Sequence, residues 1–235
     1  MKNKRQSDIL LIIPAFNEEE CIERVVRNLI EHYPQFDYVI VNDGSTDDTS
    51  KIAHRCDFNV VDLPINLGLT GAFQTGMKYA AKNNYFCAIQ FDADGQHKPE
   101  HIQELYESIR RGNDIAIGSR FVKHKKPFSM RMFGSRLIET AIRLTTGRHV
   151  KDPTSGMRMY SSNVIRKFAN NVNLTPEPDT ISYLLKTGSS VDEVQVEMDE
   201  RLAGESYLTL SKSIRYMTLM LTSILFVQPF RARKN

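Results

Sequence analysis

The chain has 235 residues, 41% hydrophobic and 25% charged, with a formal net charge of +3. That size and balance suit an ordinary globular protein of one α/β domain with or without an appendage, long enough for a sizeable core, and the sequence shows no low-complexity segment or internal repeat. The charge is uneven: residues 1–109 hold 10 Lys/Arg against 17 Asp/Glu, residues 110–151 hold 11 against 2, and the rest is nearly balanced. A basic central segment asks for an anionic partner, be it a phosphate substrate, an acidic membrane surface or nucleic acid; a solvated basic face is the alternative.

The first element is the apolar run 9–13, which reads as a parallel strand buried on both faces and ends at Pro14. It is too short for the apolar region of a signal peptide, and a cytoplasmic protein is expected. Asn17 is placed to cap the next helix, with Glu18, Glu19 and Glu20 in its first turn and Ile22, Val25, Val26, Leu29 and Ile30 at helical spacing. A second strand over 38–41 runs into Asn42-Asp43-Gly44-Ser45-Thr46-Asp47, where Ser45 or Thr46 starts another helix. Val60 and Val61 mark a third strand, and residues 66–82 a helical segment containing glycine. Cys21, Cys56 and Cys87 are widely spaced, with no metal-type C-x-x-C pattern, so buried thiols in a reducing compartment are expected.

The fourth strand, 85–91, ends in Asp92-Ala93-Asp94-Gly95-Gln96. Alternate residues of a strand share a face, so Asp92 and Asp94 can converge where the strand enters its turn. Two carboxylates and the Gln96 amide make an oxygen site for Mg²⁺ or Mn²⁺; a turn with two solvated Asp residues is the bland alternative. Ile102, Leu105 and Ile109 mark a helix, and Ile115, Ala116 and Ile117 a fifth strand. Alternating strands and helices imply an open parallel sheet with helices on both faces, and ligands bind beyond the carboxyl ends of such strands. Ala15, Asn17, Asp43, Asp92 and Asp94 all fall there.

Beyond residue 120 come a basic loop (122–127), a helix over 133–146, the turn cluster Asp152-Pro153-Thr154-Ser155-Gly156, a helix near 180–186, a strand over 190–196 and a polar loop over 200–207. Residues 216–230 form a fifteen-residue stretch without a charge, flanked by Lys212 and Arg215 before it and Arg231, Arg233 and Lys234 after it. As a helix it spans about 22 Å, short of a bilayer core of about 30 Å. It suits an interfacial helix on an acidic membrane, or a docking helix for a membrane subunit or second protomer; packing on the core is the alternative.

Six stretches in order resemble the family 2 glycosyltransferases of the GT-A fold, near the polyprenol-phosphate and dolichol-phosphate hexosyltransferases: Ile13-Pro14-Ala15-Phe16-Asn17-Glu18-Glu19, Val41-Asn42-Asp43-Gly44-Ser45-Thr46-Asp47, Asn66-Leu67-Gly68, Asp92-Ala93-Asp94-Gly95-Gln96, Gly118-Ser119-Arg120 and Asp152-Pro153-Thr154-Ser155-Gly156-Met157-Arg158. The resemblance implies a Rossmann-like, mostly parallel sheet flanked by helices over residues 1–210, and an amphipathic or apolar C-terminal helix over 211–235. It implies inverting transfer of a sugar from a nucleotide diphosphate sugar, a UDP-sugar being slightly favoured, to polyprenyl phosphate in cell-envelope polysaccharide or glycoconjugate assembly.

By the same resemblance, Pro14, Ala15, Asn17, Glu19, Asp43, Asn66, Gly68 and Ala93 bind the donor, and Asp92, Asp94 and Gln96 bind donor and metal. Arg201 and Ser206 lie in a loop that covers the donor, with Gly204 its hinge. A lipid phosphate is mostly ionised at neutral pH and already nucleophilic, so the reaction needs cations more than a strong base. Arg120 and Arg131 lead the candidates, with Arg158 and Arg201 next, because Arg grips phosphate through two hydrogen bonds. Asp152 orients the acceptor, or acts as base if the acceptor is a saccharide hydroxyl, the competing reading. Glu177 and Asp179 touch a substrate or cap the helix near 180. A sugar nucleotidyltransferase is disfavoured because Ile13-Pro14-Ala15-Phe16-Asn17 stands where its glycine-rich loop belongs. A nucleic-acid binder is disfavoured because no aromatic residues interleave the basic run. The expected partners are therefore the donor, the lipid phosphate, a membrane surface or small membrane protein at 212–235 and possible further copies of the chain, at the inner face of the cell membrane.

Overall fold

A computed structural model describes residues 7–92, 98–197 and 210–231, apart from the side chains of Met130, Arg131 and residues 210–213. Seven strands form one sheet: β1 (Ile9–Ala15), β2 (Asp37–Asn42), β3 (Val60–Asp62), β4 (Cys87–Gln90), β5 (Ile115–Ser119), β6 (Arg158–Ser161) and β7 (Val191–Gln195), in the order β3-β2-β1-β4-β6-β5-β7. All neighbours run parallel except β6, which is antiparallel to both β4 and β5. The mostly parallel sheet expected from the sequence is therefore present, with one reversed strand inserted.

The apolar run of β1 is continuous because both faces are covered. Leu10 and Ile12 face one core with α3 (Gly68–Lys82), α6 (Ser162–Asn170) and α7 (Pro178–Lys186). Ile9, Leu11 and Ile13 face the other with α1 (Ile22–His32) and α4 (Ile102–Arg110). The same alternation splits β5: Ile115 and Ile117 enter the first core, Ala116 the second. Gly76 lets α3 lie against β1, since a Cβ there would meet the Ile12 side chain at 2.2 Å.

Two expected helix starts are displaced. α1 begins at Ile22 rather than after Asn17, because the Glu18 carbonyl first accepts the Cys21 and Ile22 N–H groups in a turn. α2 (Thr49–Arg55) begins after Asp48 rather than at Ser45 or Thr46. β6 and α6 were not expected at all. Val164, Ile165 and Phe168 carry the helical spacing of α6, but β6 is four residues long with a charged start.

The C-terminal stretch forms α8 (Leu210–Thr222), a π-helical segment (Ser223–Val227) and α9 (Gln228–Arg231). It packs on α7 and on α5 (Met130–Thr146). Gly134 permits the approach: a Cβ there would meet the Met217 sulfur at 2.8 Å. Ile224 is buried, whereas Ile214, Leu219, Leu225, Phe226, Val227 and Phe230 remain exposed. No described helix is long and apolar enough to cross a membrane.

Candidate active site

The loops after β1 and β2 are sewn together by side chains. Asn17, at φ 55°, donates its N–H to Ser45 Oγ (3.0 Å), and its Oδ1 accepts from the Thr46 N–H (2.9 Å). Glu18 N–H donates to Thr49 Oγ1 (2.8 Å), and Glu19 N–H to Asp47 Oδ2 (3.1 Å). Glu19 Oε2 accepts in return from the Asp48 N–H (2.9 Å). The residues expected to cap helices thus bond one another across two loops. Burial opposes the charge on Asp47, yet the Thr49 hydroxyl with the Thr49 and Glu19 amides brings its carboxyl below the usual range.

Asp43 follows β2 and is buried. Its N–H donates to the Ala15 carbonyl (2.8 Å), and its Oδ1 accepts from the Leu67 N–H (2.8 Å). This second bond brings the Asn66 to Gly68 turn to the ends of β1 and β2. Gly44 makes the turn possible. Its φ is +65°, and a Cβ would meet the Ile65 carbonyl carbon at 2.6 Å. Pro14 is half-buried and Ala15 fully buried at the end of β1. Six of the expected donor residues (Pro14, Ala15, Asn17, Glu19, Asp43 and Asn66) and Gly68 therefore share one edge of the sheet.

Asp92 lies just past β4 at the same edge, half-buried, with Oδ1 accepting from Gln90 Nε2 (2.9 Å). Ala93, Asp94 and Gln96 lie outside the described residues, as do Arg201 and Ser206. Among the described residues no group of three or more His, Cys, Asp or Glu could hold a metal. The oxygen set Asp92, Asp94 and Gln96 fits a hard divalent cation by its chemistry.

Past β5 the edge is built differently. Asp152 is wholly buried and receives Arg120 through two bonds: Nε to Oδ2 (2.8 Å) and Nη2 to Oδ1 (2.9 Å). The Arg120 N–H adds a third to Oδ2 (3.2 Å). The guanidinium lies 5.1 Å from the Phe121 ring centroid and keeps 23% of its side chain exposed. Asp152 is held from behind: Glu193 Oε1 accepts its N–H and Oε2 the Lys151 N–H, both at 2.7 Å. Ser155 Oγ donates to the Gly118 carbonyl (2.6 Å), tying the turn to β5. Asp152 thus stands behind Arg120 with both oxygens engaged, which is not the post of an open base.

Arg158 is also placed otherwise than its candidacy as a phosphate cation requires. It is buried, donating from Nη1 to the Pro176 carbonyl (2.8 Å) and from Nη2 to the Pro153 carbonyl (2.7 Å). It braces the turn that carries Asp152. Arg131 lies in the first turn of α5, and its side chain is outside the described set.

Glu177 and Asp179 hold the C-terminal helices. Glu177 Oε2 accepts from the Tyr216 hydroxyl, and Asp179 Oδ2 accepts from Ser223 Oγ (2.6 Å) and Gln228 Nε2 (3.0 Å). Glu177 precedes α7 but makes no side-chain cap. Burial raises its carboxyl above the usual range, and burial beside the Glu177 charge raises the Tyr216 phenol. The residues missed from sequence are Glu193 and Gln195, which orients the Arg120 carbonyl through Nε2 (3.2 Å). Their period-two spacing on β7 was the available signal.

Residues 10–168 match the model of glycosyl transferase family 2. The polyprenol monophosphomannose synthase of Mycolicibacterium smegmatis is 29% identical over 214 residues, covering 85% of this chain and 80% of that protein. The UDP-N-acetylglucosamine–dolichyl-phosphate N-acetylglucosaminyltransferase of Methanococcus voltae is 32% identical over 181 residues, covering 67% of this chain and 71% of that protein. Among solved structures, glucosyl-3-phosphoglycerate synthase from Mycobacterium tuberculosis, crystallised with Mn²⁺, UDP and glucosyl-3-phosphoglycerate, superposes with a TM-score of 0.64 over 92% of this chain and 79% of that one, at 20% identity. The shared architecture is the GT-A fold.

Proposed function

The chain belongs to glycosyl transferase family 2, and from that premise we propose that it moves a hexose or N-acetylhexosamine from a nucleotide diphosphate sugar to polyprenyl phosphate. A UDP-sugar is the donor we favour, and the relatives themselves differ in the sugar they carry. Pro14, Ala15, Asn17 and Glu19 wall the nucleotide. Asp43 accepts the N–H of the base, and Asn66, Gly68 and Ala93 complete the wall. Arg201 and Ser206 close over the donor.

Asp92, Asp94 and Gln96 would hold Mg²⁺ or Mn²⁺, which when bound neutralises charge developing on the diphosphate leaving group. A lipid phosphate oxygen forms a bond to the anomeric carbon while the bond to the diphosphate breaks, so the configuration inverts and the nucleoside diphosphate departs with the electron pair. The attacking phosphate is ionised, with a second pKa of about 6, so no proton need be removed from it. Arg120 and Arg131 bring this anion against the donor. Asp152 is a positioning residue that fixes the Arg120 fork, and Arg158 supports its turn.

The observation that carries this reading is the Arg120 fork, fixed by buried Asp152 at the same sheet edge as Asp43 and Asp92. Transfer to a saccharide hydroxyl calls for a base, and Asp152 has both oxygens on Arg120. The enzyme works in the cytoplasm at the inner face of the cell membrane. Residues 212–235, apart from a catalytic domain over 1–210, meet the membrane or a small membrane protein, and self-association through them is compatible with the exposed apolar side chains. We assign no nucleic-acid partner.

The test incubates the protein with Mg²⁺ or Mn²⁺, a panel of UDP- and GDP-sugars and a short polyprenyl phosphate. One donor is expected to yield a lipid-phosphate sugar, lost in Asp94→Ala. Donor hydrolysis without lipid product would overturn the acceptor assignment, and no donor binding with either metal would overturn the enzymatic one.

A further inference from the structure

Polar side chains fasten the C-terminal helices to the rest of the chain at three places among the described residues. At the far end, Arg231 donates from Nη1 to the Asn173 carbonyl and from Nη2 to Asn171 Oδ1, both at 3.1 Å. Its guanidinium also lies 4.6 Å from the Tyr183 ring centroid. In the middle, Ser223 Oγ (2.6 Å) and Gln228 Nε2 (3.0 Å) donate to Asp179 Oδ2. At the near end, the Tyr216 hydroxyl donates to Glu177 Oε2. The first two fastenings end on α7 and the loop before it. The third leads on towards Arg120.

Glu177 makes no cap bond to α7, so the Tyr216 hydroxyl is what holds its carboxylate. Pro176, the residue before it, carries the carbonyl that accepts Arg158 Nη1 (2.8 Å). The Arg158 charge also favours the Glu177 carboxylate, against the burial that raises it. Arg158 Nη2 reaches the Pro153 carbonyl (2.7 Å), while its Nε is buried without a partner among the described residues. Bonds to two carbonyls, one in each of two turns, therefore place this guanidinium. Buried donors cannot exchange such bonds for water, so the two turns are coupled through Arg158. One turn carries Glu177. The other carries Asp152, whose two oxygens hold Arg120 Nε and Nη2.

We propose that Tyr216 and Glu177 are positioning residues for the acceptor phosphate: through Arg158 they fix the turn of Asp152, and with it the Arg120 fork. The path is a contiguous one of hydrogen bonds and neighbouring residues from α8 to the sheet edge. α8 thereby has an inward task, separate from the surface that its exposed side chains meet. The link from Arg120 to the acceptor rests on the function proposed above; the coupling of Tyr216 to Arg120 does not.

The experiment compares Tyr216→Phe, which removes one hydroxyl and keeps the ring, with Ser223→Ala, which removes one hydroxyl from the fastening at Asp179. Both loosen the same helices, but only the first touches the path to Arg158. The full chain is assayed with a short polyprenyl phosphate in detergent, so attachment to a bilayer is not measured. Tyr216→Phe is expected to lower kcat/KM for the lipid phosphate about tenfold with the donor KM within about twofold of wild type, and Ser223→Ala to change neither by more than about twofold. Glu177→Ala should match Tyr216→Phe, and the double variant should lose no more than either alone, since both act along one path.

A second readout needs neither donor nor lipid. With isotope-labelled arginine, the Arg120 Nε–H resonance is identified by its absence in Arg120→Lys. It is expected to shift or split in Tyr216→Phe and to stay in place in Ser223→Ala. Equal losses of transfer in Tyr216→Phe and Ser223→Ala, additive losses in the double variant, or an Arg120 resonance unmoved by Tyr216→Phe would overturn the proposal. If wild type transferred to no lipid phosphate while Tyr216→Phe still moved the resonance, the acceptor assignment would fall and the coupling would stand.

Discussion

The two ends of the strand edge are held by opposite means. Around β1 and β2, the Asn17, Glu19, Ser45, Asp47 and Thr49 side chains bond to backbone N–H groups of the facing loop, several of them at the surface. Around β5 and β6, one buried ion pair carries the geometry, and Glu193 and Arg158 exist to support it. The first arrangement has many small, replaceable bonds. The second has one that cannot lose a single member, because an ion left alone in the interior is far costlier than the pair was stabilising.

Breaking that pair should give the largest effect. Asp152→Ala leaves the Arg120 guanidinium without its carboxylate, and a loss of about 3 kcal/mol in stability is expected, at the low end for buried pairs since Arg120 is partly exposed. Urea denaturation measures it. Arg120→Met/Asp152→Leu should recover most of the stability while transfer stays down about a hundredfold or more, as expected for loss of a charge-stabilising donor. A double variant that transfers normally would show that the pair holds the fold and has no part in the reaction.

Gly44→Ala tests the other end at its least forgiving point. The side chain would enter at positive φ and strike the Ile65 backbone. The expected cost is about 1–3 kcal/mol, with donor affinity down about tenfold because the Asp43 turn must shift. Calorimetric titration of the donor into wild type and variant gives the answer. Unchanged affinity with lowered stability would detach the Gly44 turn from donor binding.

The same contrast decided what the sequence could reveal. The loops after β1 and β2 were legible because their chemistry is local: Pro14, Asn17, Asp43 and Gly44 sit within a few residues of the strand ends they serve. Even there the capping assignment of Asn17 failed, since its partners Ser45 and Thr46 lie 28 and 29 residues away. The Arg120–Asp152 pair spans 32 residues, and the Glu193 bond to the Asp152 N–H spans 41. Nothing in a local window specifies such a pairing. Arg158, Glu177 and Asp179 looked like substrate-facing charges because charge alone does not say which side of a turn it faces. β6 escaped for a related reason, as a reversed strand of four residues inserted between parallel ones breaks the alternation that identified the rest.

Acid and base should act on different regions. Burial opposes the charge of Asp62, but its bonds from Asn42, His54 and Ser50 bring its carboxyl below the ordinary 3.8. The stability it carries is present above 3.8 and is lost as pH falls through the lower folded value. Glu177 is the reverse. Burial raises it above the ordinary 4.5, so its contribution is complete below 4.5 and is lost as pH rises through the folded value. Asp62→Asn should flatten the acid limb of a stability–pH profile, and Glu177→Gln the limb above 4.5. If both variants flattened the same limb, the two regions would not be electrostatically distinct.

The smallest effect should come from Asn17, and it separates side chain from backbone. Asn17→Gly keeps the φ of 55° accessible and removes only the Oδ1 acceptor for Thr46. These bonds are exposed, so a loss of about 0.5–1 kcal/mol is expected. Asn17→Ala removes the same acceptor and, unlike Gly, keeps a Cβ in the left-handed region without the local side-chain bonds that let Asn tolerate it, so it costs about 1 kcal/mol more than Gly. The difference between the two melting curves measures the backbone term alone. If Gly and Ala cost the same, the loop has moved out of the left-handed conformation, and the lacing of the two loops would rest on the Ser45, Asp47 and Thr49 bonds without Asn17. A loop that tolerates both changes while Asp152→Ala cripples the enzyme would confirm that the donor end is held collectively and the Arg120 end by a single pair.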